Sequence, residues 1–268
     1  MRVTRTASEL PACRGRTYLA RLGGLFDQLP FRVALIVAPP GYNDDLAADA
    51  VLVQHCDSSM WLDMADLGAD GIIPALGRLL GMNDADASLD RTRDRLQAAT
   101  TLLVVANVPR VLGHDQHDAL QALLPRSADR WSALLTSSVH PGLDLTAYHA
   151  DGEALVVSSN DLRYRVEEIA ELLASIGATA VDPASLHDLT FGWPVAVETT
   201  ASLLRMGWSE DDALVQLEVE VAAHLDATVW PALNDGERRA VELLAVLGEI
   251  DAEIQSIVGC DVDGPAVE

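Results

Sequence analysis

The stretch Leu35-Ile36-Val37-Ala38-Pro39-Pro40-Gly41-Tyr42-Asn43-Asp44-Asp45-Leu46 passes from an apolar run into a proline–glycine turn and then into an acidic helix start. Its first half belongs to Arg32–Ala38 (RVALIVA). Continuous aliphatic residues of this kind suit a strand buried on both faces of a parallel sheet. Pro39, Pro40 and Gly41 supply a turn, and Asp44 and Asp45 favour the first turn of the helix they open.

Working outward, four further short apolar runs read as strands: Ser59–Asp63, Thr101–Ala106, Ser132–Ser137 and Ala154–Ser158. Helical patterns lie between them at Asp45–His55, Gly68–Leu80, Ala87–Ala98 and Asp115–Leu124. Strands alternating with helices predict right-handed crossovers and an α/β fold with a parallel, five-stranded sheet flanked by helices. After Ser158 the strands stop. Asn160–Ile176, Pro183–Thr190, Pro194–Arg205, Ser209–Leu225, Asp235–Leu247 and Ala252–Val258 all read as helices, with Asn160 or Asp161 as an N-cap and Pro183 and Pro194 in first turns. The expected organisation is a sheet domain over residues 1–159 and a helical region over residues 160–268.

An apolar first strand, a glycine-bearing turn and a helix also form the order of a phosphate-binding loop. Here the run resembles the nucleotide-binding segment of the STAND ATPases, in particular the large ATP-binding, LuxR-associated regulators of the maltose-regulator type. Ala38, Pro39, Gly41 and Tyr42 match that segment, but Asn43, Asp44 and Asp45 stand where it has glycine, lysine and a hydroxyl residue. Further segments are similar in the same order. Arg14–Leu22 resembles the family's lead-in helix, Trp61-Leu62-Asp63 its second strand, and Leu134–Ser137 its fourth. Asp161-Leu162-Arg163-Tyr164 with Glu167 and Glu168 resembles a helix start, and Thr190-Phe191-Gly192-Trp193-Pro194 resembles the turn beside the adenine. The resemblance implies a P-loop NTPase-like fold, a helical lid from residue 160, and the beginning of a winged-helix-like region. At the third strand, where the family carries the Walker B acids, this chain has Ala106 and Asn107.

These substitutions decide the expected chemistry. All 18 basic residues are arginines, so the chain has no lysine. Phosphoryl transfer on this loop requires backbone N–H groups around the phosphates, a lysine on their oxygens, and a hydroxyl plus an acid holding Mg²⁺. A carboxylate about 4 Å from one phosphate charge costs on the order of 4 kcal/mol at an effective dielectric near 20. Asp44 and Asp45 thus oppose the anion that the loop would have to hold, beyond what a helix N-terminus offers it. The expectation is a pseudo-ATPase: no catalytic residues, no metal, and no cofactor. Pro40–Asp45 form a vestigial phosphate loop, Ala106 and Asn107 a vestigial Walker B, and Gly192, Trp193 and Pro194 the adenine turn. The alternative is weak ATP or ADP binding with the phosphates placed differently.

Composition limits the remaining classes. With 49% hydrophobic and 22% charged residues the chain is expected to build a packed core, and its net charge is −23. No segregated basic stripe exists for nucleic acid. Arg2, Arg5, Arg14, Arg16 and Arg21 read as a solvated arm and helix. Cys13, Cys56 and Cys260 read as free thiols, and no apolar run is long enough to span a membrane, so a cytoplasmic protein is expected. His114 and His117 suggest a metal site only by spacing, and Ser137, Ser138 and His140 suggest a hydrolase dyad only by proximity; both readings give way to solvated or structural side chains. Asp57, Asp63, Asp66 and Asp70 read as a solvated acidic face. The expected partner is a protein, either an intact ATPase relative or a second copy of this chain.

Overall fold

Strand β1 (Val33–Val37) lies inside the sheet, with β4 (Ser132–Ser137) and β5 (Ala154–Ser158) on its two sides. Both pairings are parallel, and they align Val37 with Ser137 and Ser158. With β2 (Ser59–Asp63) and β3 (Leu102–Val108) the five strands run in the order β2-β3-β4-β1-β5. The computed structural model describes residues 15–27, 31–42, 47–48, 59–67, 71–83, 86–99 and 102–247. From β1 the chain passes outward to β2 at the far edge. It then returns through β3 and β4 and crosses β1 to reach β5. With right-handed crossovers the outward and returning connections lie on opposite faces. The carboxyl end of β1 therefore adjoins a topological switch point, where open α/β sheets receive ligands.

Both faces are closed. Val33, Leu35, Leu103, Val105, Ala133 and Leu135 share one core with helices α2 (Ile72–Leu79), α3 (Leu89–Ala99) and α4 (His114–Leu123). The alternate residues Ala34, Ile36, Val104 and Leu134 are equally inaccessible. Alternation therefore disappears from the sequence, as it must for strands buried on both sides. Arg93 is buried on α3; it donates to the carbonyls of Ala122 (2.7 Å) and Leu124 (3.0 Å), pairs with Asp129, and fixes α3 against the end of α4.

Element positions follow the expectation with informative shifts. The third strand runs on to Val108, through a register irregularity between Val105 and Val108. A short helix α5 (Thr146–Ala150), absent from the sequence reading, precedes β5. The single helix expected over Asn160–Ile176 is two: α6 (Ser159–Leu162) and α7 (Val166–Ser175). Ser158, not Asn160 or Asp161, caps α6, and Asp161 returns the bond as the third helical residue. The backbone is extended at Arg163, and the Tyr164 amide leaves helical pairing to donate to Gly192 O (2.8 Å).

Helices α8 (Pro183–Thr190), α9 (Pro194–Arg205) and α10 (Glu210–His224) follow. Asp182 caps α8 through the amides of Ala184 and Ser185, and the Ser185 hydroxyl holds its carboxyl below the usual range. A five-residue π-helix, Leu225–Val229, continues α10 where the sequence suggested its end, and α11 (Asp235–Leu247) lies beyond. The helices expected at Asp45–His55, beyond Ala47 and Ala48, and at Ala252–Val258 fall outside the described residues, as do the three cysteines. The chain divides into two compact units, Met1–Ala213 and Leu214–Glu268. The first thus takes in the sheet together with helices through α9, and the change of pattern at Ser158 falls within it.

Candidate phosphate-loop site

At the end of β1 the Ala38 amide donates to Ser137 O (3.0 Å), which keeps the chain in the sheet for one more residue. Pro39 and Pro40 then supply no N–H, so only Gly41 and Tyr42 offer amides among the described loop residues. Gly41 adopts φ +88°, and its carbonyl accepts from the Val195 amide (3.1 Å). A Cβ there would lie 2.9 Å from Trp193 Nε1 and 3.0 Å from Val195 Cγ1. Glycine is required twice over, by its conformation and by the indole pressed against it. The Tyr42 ring lies 6.5 Å from that of Trp193, tilted by 39°. Gly41 and Tyr42 of the expected loop therefore lie against the turn at Trp193 and Pro40 is half-buried, while Asn43, Asp44 and Asp45 lie outside the described residues.

At the end of β3, where the resemblance led us to expect the Walker B acids, Ala106 and Asn107 make contacts of a different chemistry. Ala106 is fully buried and paired in register with Asp63 of β2. Asn107 follows in the left-handed region (φ 54°), a conformation asparagine tolerates better than most residues. Its amide donates to Thr136 Oγ1 (3.1 Å), and its side-chain Nδ2 donates to both oxygens of Asp63, at 3.0 and 3.1 Å. Asp63 Oδ1 also accepts from the Ala65 amide (2.9 Å). Asp63, expected on a solvated acidic face, is half-buried and its carboxylate also holds the tip of β3.

The turn at Gly192 joins this loop to the start of the chain. Phe191 and Gly192 both have positive φ, 51° and 67°. A Cβ on Gly192 would fall against the Tyr164 carbonyl oxygen. Tyr164 is buried, stacks on Tyr18 of α1 (Arg16–Asp27) at 3.8 Å between centroids, and donates its hydroxyl to Glu198 (3.0 Å). The Tyr18 hydroxyl donates to Leu162 O (2.9 Å). Arg21 completes the joint. Its guanidinium grips Glu168 through Nε (2.6 Å) and Nη2 (3.0 Å), and it also reaches the carbonyls of Asp161 and Arg163. Three segments singled out separately in the sequence, the lead-in helix, the Asp161–Glu168 start and the Thr190–Pro194 turn, thus meet in one cluster. The sequence places Arg21 in the lead-in helix, as a solvated arginine. Its spacing on α1 gave no sign of the carboxylate it grips.

Glu171 caps α1 from outside, accepting from the amides of Arg16 (3.2 Å) and Thr17 (3.0 Å). The Thr17 hydroxyl, followed by these amides and the Arg16 charge, holds the Glu171 carboxyl below the usual range. A depressed folded-state pKa gives stability that is complete above the ordinary glutamate value and is lost as pH falls through the folded one. Glu171→Gln is therefore expected to lower the urea midpoint at neutral pH, with the gap to the parent closing on acidification below about pH 4. A pH-independent gap would contradict the capping role.

The other candidates disperse. His114 faces Asp118 (3.5 Å) and His117 lies 3.3 Å from Gly142 O, and no group of His, Cys, Asp and Glu able to hold a metal occurs among the described residues. Ser137 is buried with its hydroxyl donating to Val108 O (2.8 Å), whereas His140 accepts from the Gly142 amide. The hydrolase dyad is not assembled. No described helix is long and apolar enough to cross a membrane.

No protein-family model matches the sequence, and no curated protein does. Among solved structures, the chain is similar to a Walker-type ATPase of Pyrococcus abyssi at 13% identity and TM-score 0.57, over 91% of this chain and 87% of that one. It is also matched to the RuvB Holliday junction branch migration motor of Thermotoga maritima at 11% identity and TM-score 0.49, over 92% and 83%. With the parallel order β2-β3-β4-β1-β5 and the glycine turn at the switch point, the first of these shows a P-loop NTPase-like α/β fold.

Proposed function

We propose that this chain is a catalytically inactive pseudo-ATPase domain that works as a regulatory or scaffolding protein-interaction module, descended from the STAND ATPases of the maltose-regulator type. The observation that carries the reading is the amide carboxamide of Asn107, bonded to Asp63, at the position where a P-loop enzyme needs a metal-binding acid. The absence of lysine anywhere in the chain and the carboxylates Asp44 and Asp45 support it from the sequence. The Gly41 carbonyl accepts from the Val195 amide and its Cα lies against the Trp193 indole, contacts of the protein with itself that suit a structural turn. A role in transcriptional or signalling control follows only from the resemblance and is exercised through a protein partner, without direct contact to nucleic acid; the cytoplasmic placement rests on the scattered cysteines and the lack of a long apolar run.

Purified protein is expected to show no ATP turnover above buffer and no saturable binding of a fluorescent ATP or ADP analogue at micromolar concentration, with or without Mg²⁺. Turnover abolished by substituting Asp44 or Asp45 would end the inactive reading. Tight binding without turnover would favour a nucleotide-binding signalling module instead. The half-buried rings of Tyr42 and Trp193 at the loop give that second reading a stacking surface for adenine.

A further inference from the structure

Helix α10 presents apolar side chains on two opposite sides. Ala213 and Leu217, four residues apart and 0% and 6% exposed, form its packed side. At about 100° per residue, Val215 lies roughly 200° around the helix from Leu217, and Val219 and Ala222 continue Val215's stripe. Val215 is 67% and Val219 57% exposed, and Ala222 is exposed as well. These are not the margin of the buried stripe, because they lie on the opposite side of the helix from it. A soluble helix ordinarily keeps its second side polar.

The charge beside this stripe has one sign. Glu218 and Glu220 are exposed next to the valines, with Asp226 one turn farther on. No arginine or lysine occurs between Arg205 and Arg238. Gln216 donates to Glu220 (2.9 Å), and the one basic side chain of the helix is His224 in its last turn. A second copy would bring the same carboxylates to the contact and a net charge of −23 to the encounter, which opposes self-association. Nucleic acid is excluded by the same sign.

We propose that the Val215–Val219–Ala222 face of α10 docks a basic amphipathic helix of a partner protein. The valines and alanine, at i, i+4 and i+7, receive the partner's apolar stripe, and Glu218 and Glu220 pair with arginine or lysine along its edge. This rests on the reading of the chain as an interaction module, yet the two fail separately. ATP turnover would remove the inactive reading and leave peptide binding unchanged; loss of valine dependence would remove the docking face and leave the loop's chemistry as it stands.

The test uses the full chain and a fluorescent synthetic helical peptide of leucine and arginine in heptad spacing, followed by anisotropy. Two control peptides replace arginine by glutamate or leucine by glutamine. Saturable binding of the first peptide alone is expected. It should weaken about tenfold or more in Val215→Ser/Val219→Ser, which leaves the charge unchanged. Glu218→Gln/Glu220→Gln should weaken it and flatten its salt dependence. Circular dichroism melts confirm that both variants fold. Equal binding by the valine variant would mean undirected attraction to an acidic surface, and equal binding of the glutamate peptide would remove the charge pairing. A dimer in sedimentation that the valine variant dissolves would assign the face to a second copy. Each of these three outcomes overturns the proposal.

Discussion

Arg21→Ala is expected to destabilise the protein by about 3–5 kcal/mol in urea unfolding, the range for removing one partner of a buried ion pair. The side chains of Arg21 and Glu168 are 14% and 3% exposed, so this is not a solvated surface pair. Removing the guanidinium leaves Glu168 buried, with the Arg165 amide as its other described donor, and releases the carbonyls of Asp161 and Arg163. Arg21→Lys should recover little of the loss, because an ammonium cannot reproduce a two-point grip together with two carbonyl contacts. The cycle with Glu168→Gln separates pairing from burial: the double variant should lose clearly less than the sum of the single ones. A loss below about 1 kcal/mol in Arg21→Ala would place the pair among ordinary surface bridges.

The effect should reach the loop. Arg21 holds the Arg163 carbonyl, the next residue's amide holds Gly192 O, and Gly192 positions Trp193 against Gly41. Weakening the first contact therefore loosens the last through covalently adjacent residues. This is a connected chain of bonds, and the measurement that establishes coupling is the thermodynamic cycle rather than the adjacency itself.

The sheet was legible because its strands are buried on both faces and so read as unbroken apolar runs: Arg32–Ala38, Ser132–Ser137 and the core of β3. The turn after β1 was legible for a related reason, since a buried strand and a Pro-Pro-Gly turn follow one another without long-range information. What escaped the sequence was decided by distant partners. Nothing local interrupts the helical pattern at Arg163 to Arg165; the break exists because Gly192 takes the Tyr164 amide. Asn107 could be read as a missing acid, but its left-handed backbone depends on Asp63 and Thr136 of the two neighbouring strands. Arg93 is one of three arginines on α3, with Arg91 and Arg95, and only the end of α4 and Asp129 make it a buried one. In each case a polar side chain or amide meets its partner across tertiary structure, and such meetings leave no periodicity to read.

The Gly192→Ala substitution is expected to cost about 2–5 kcal/mol. Roughly 1–2 kcal/mol comes from holding an L side chain in the left-handed region, and about 1–3 kcal/mol from forcing a methyl into a filled space. The filled space is the Tyr164 carbonyl itself, a backbone atom that cannot swing aside, and the Tyr164 amide bonds back to the same glycine. Gly177 provides the control. It has φ +78° and nothing within 4 Å of an added Cβ, so Gly177→Ala should pay the conformational cost alone. The difference between the two variants measures the close approach of the turn to the α6–α7 junction. If that approach carries Trp193 onto Gly41, the alanine variant should also expose the indole, seen as a red-shifted tryptophan emission that is absent when the same change is made in Trp193→Phe. Equal losses at Gly192 and Gly177 would mean that the turn is held by its own conformation and that the loop is closed by some other contact.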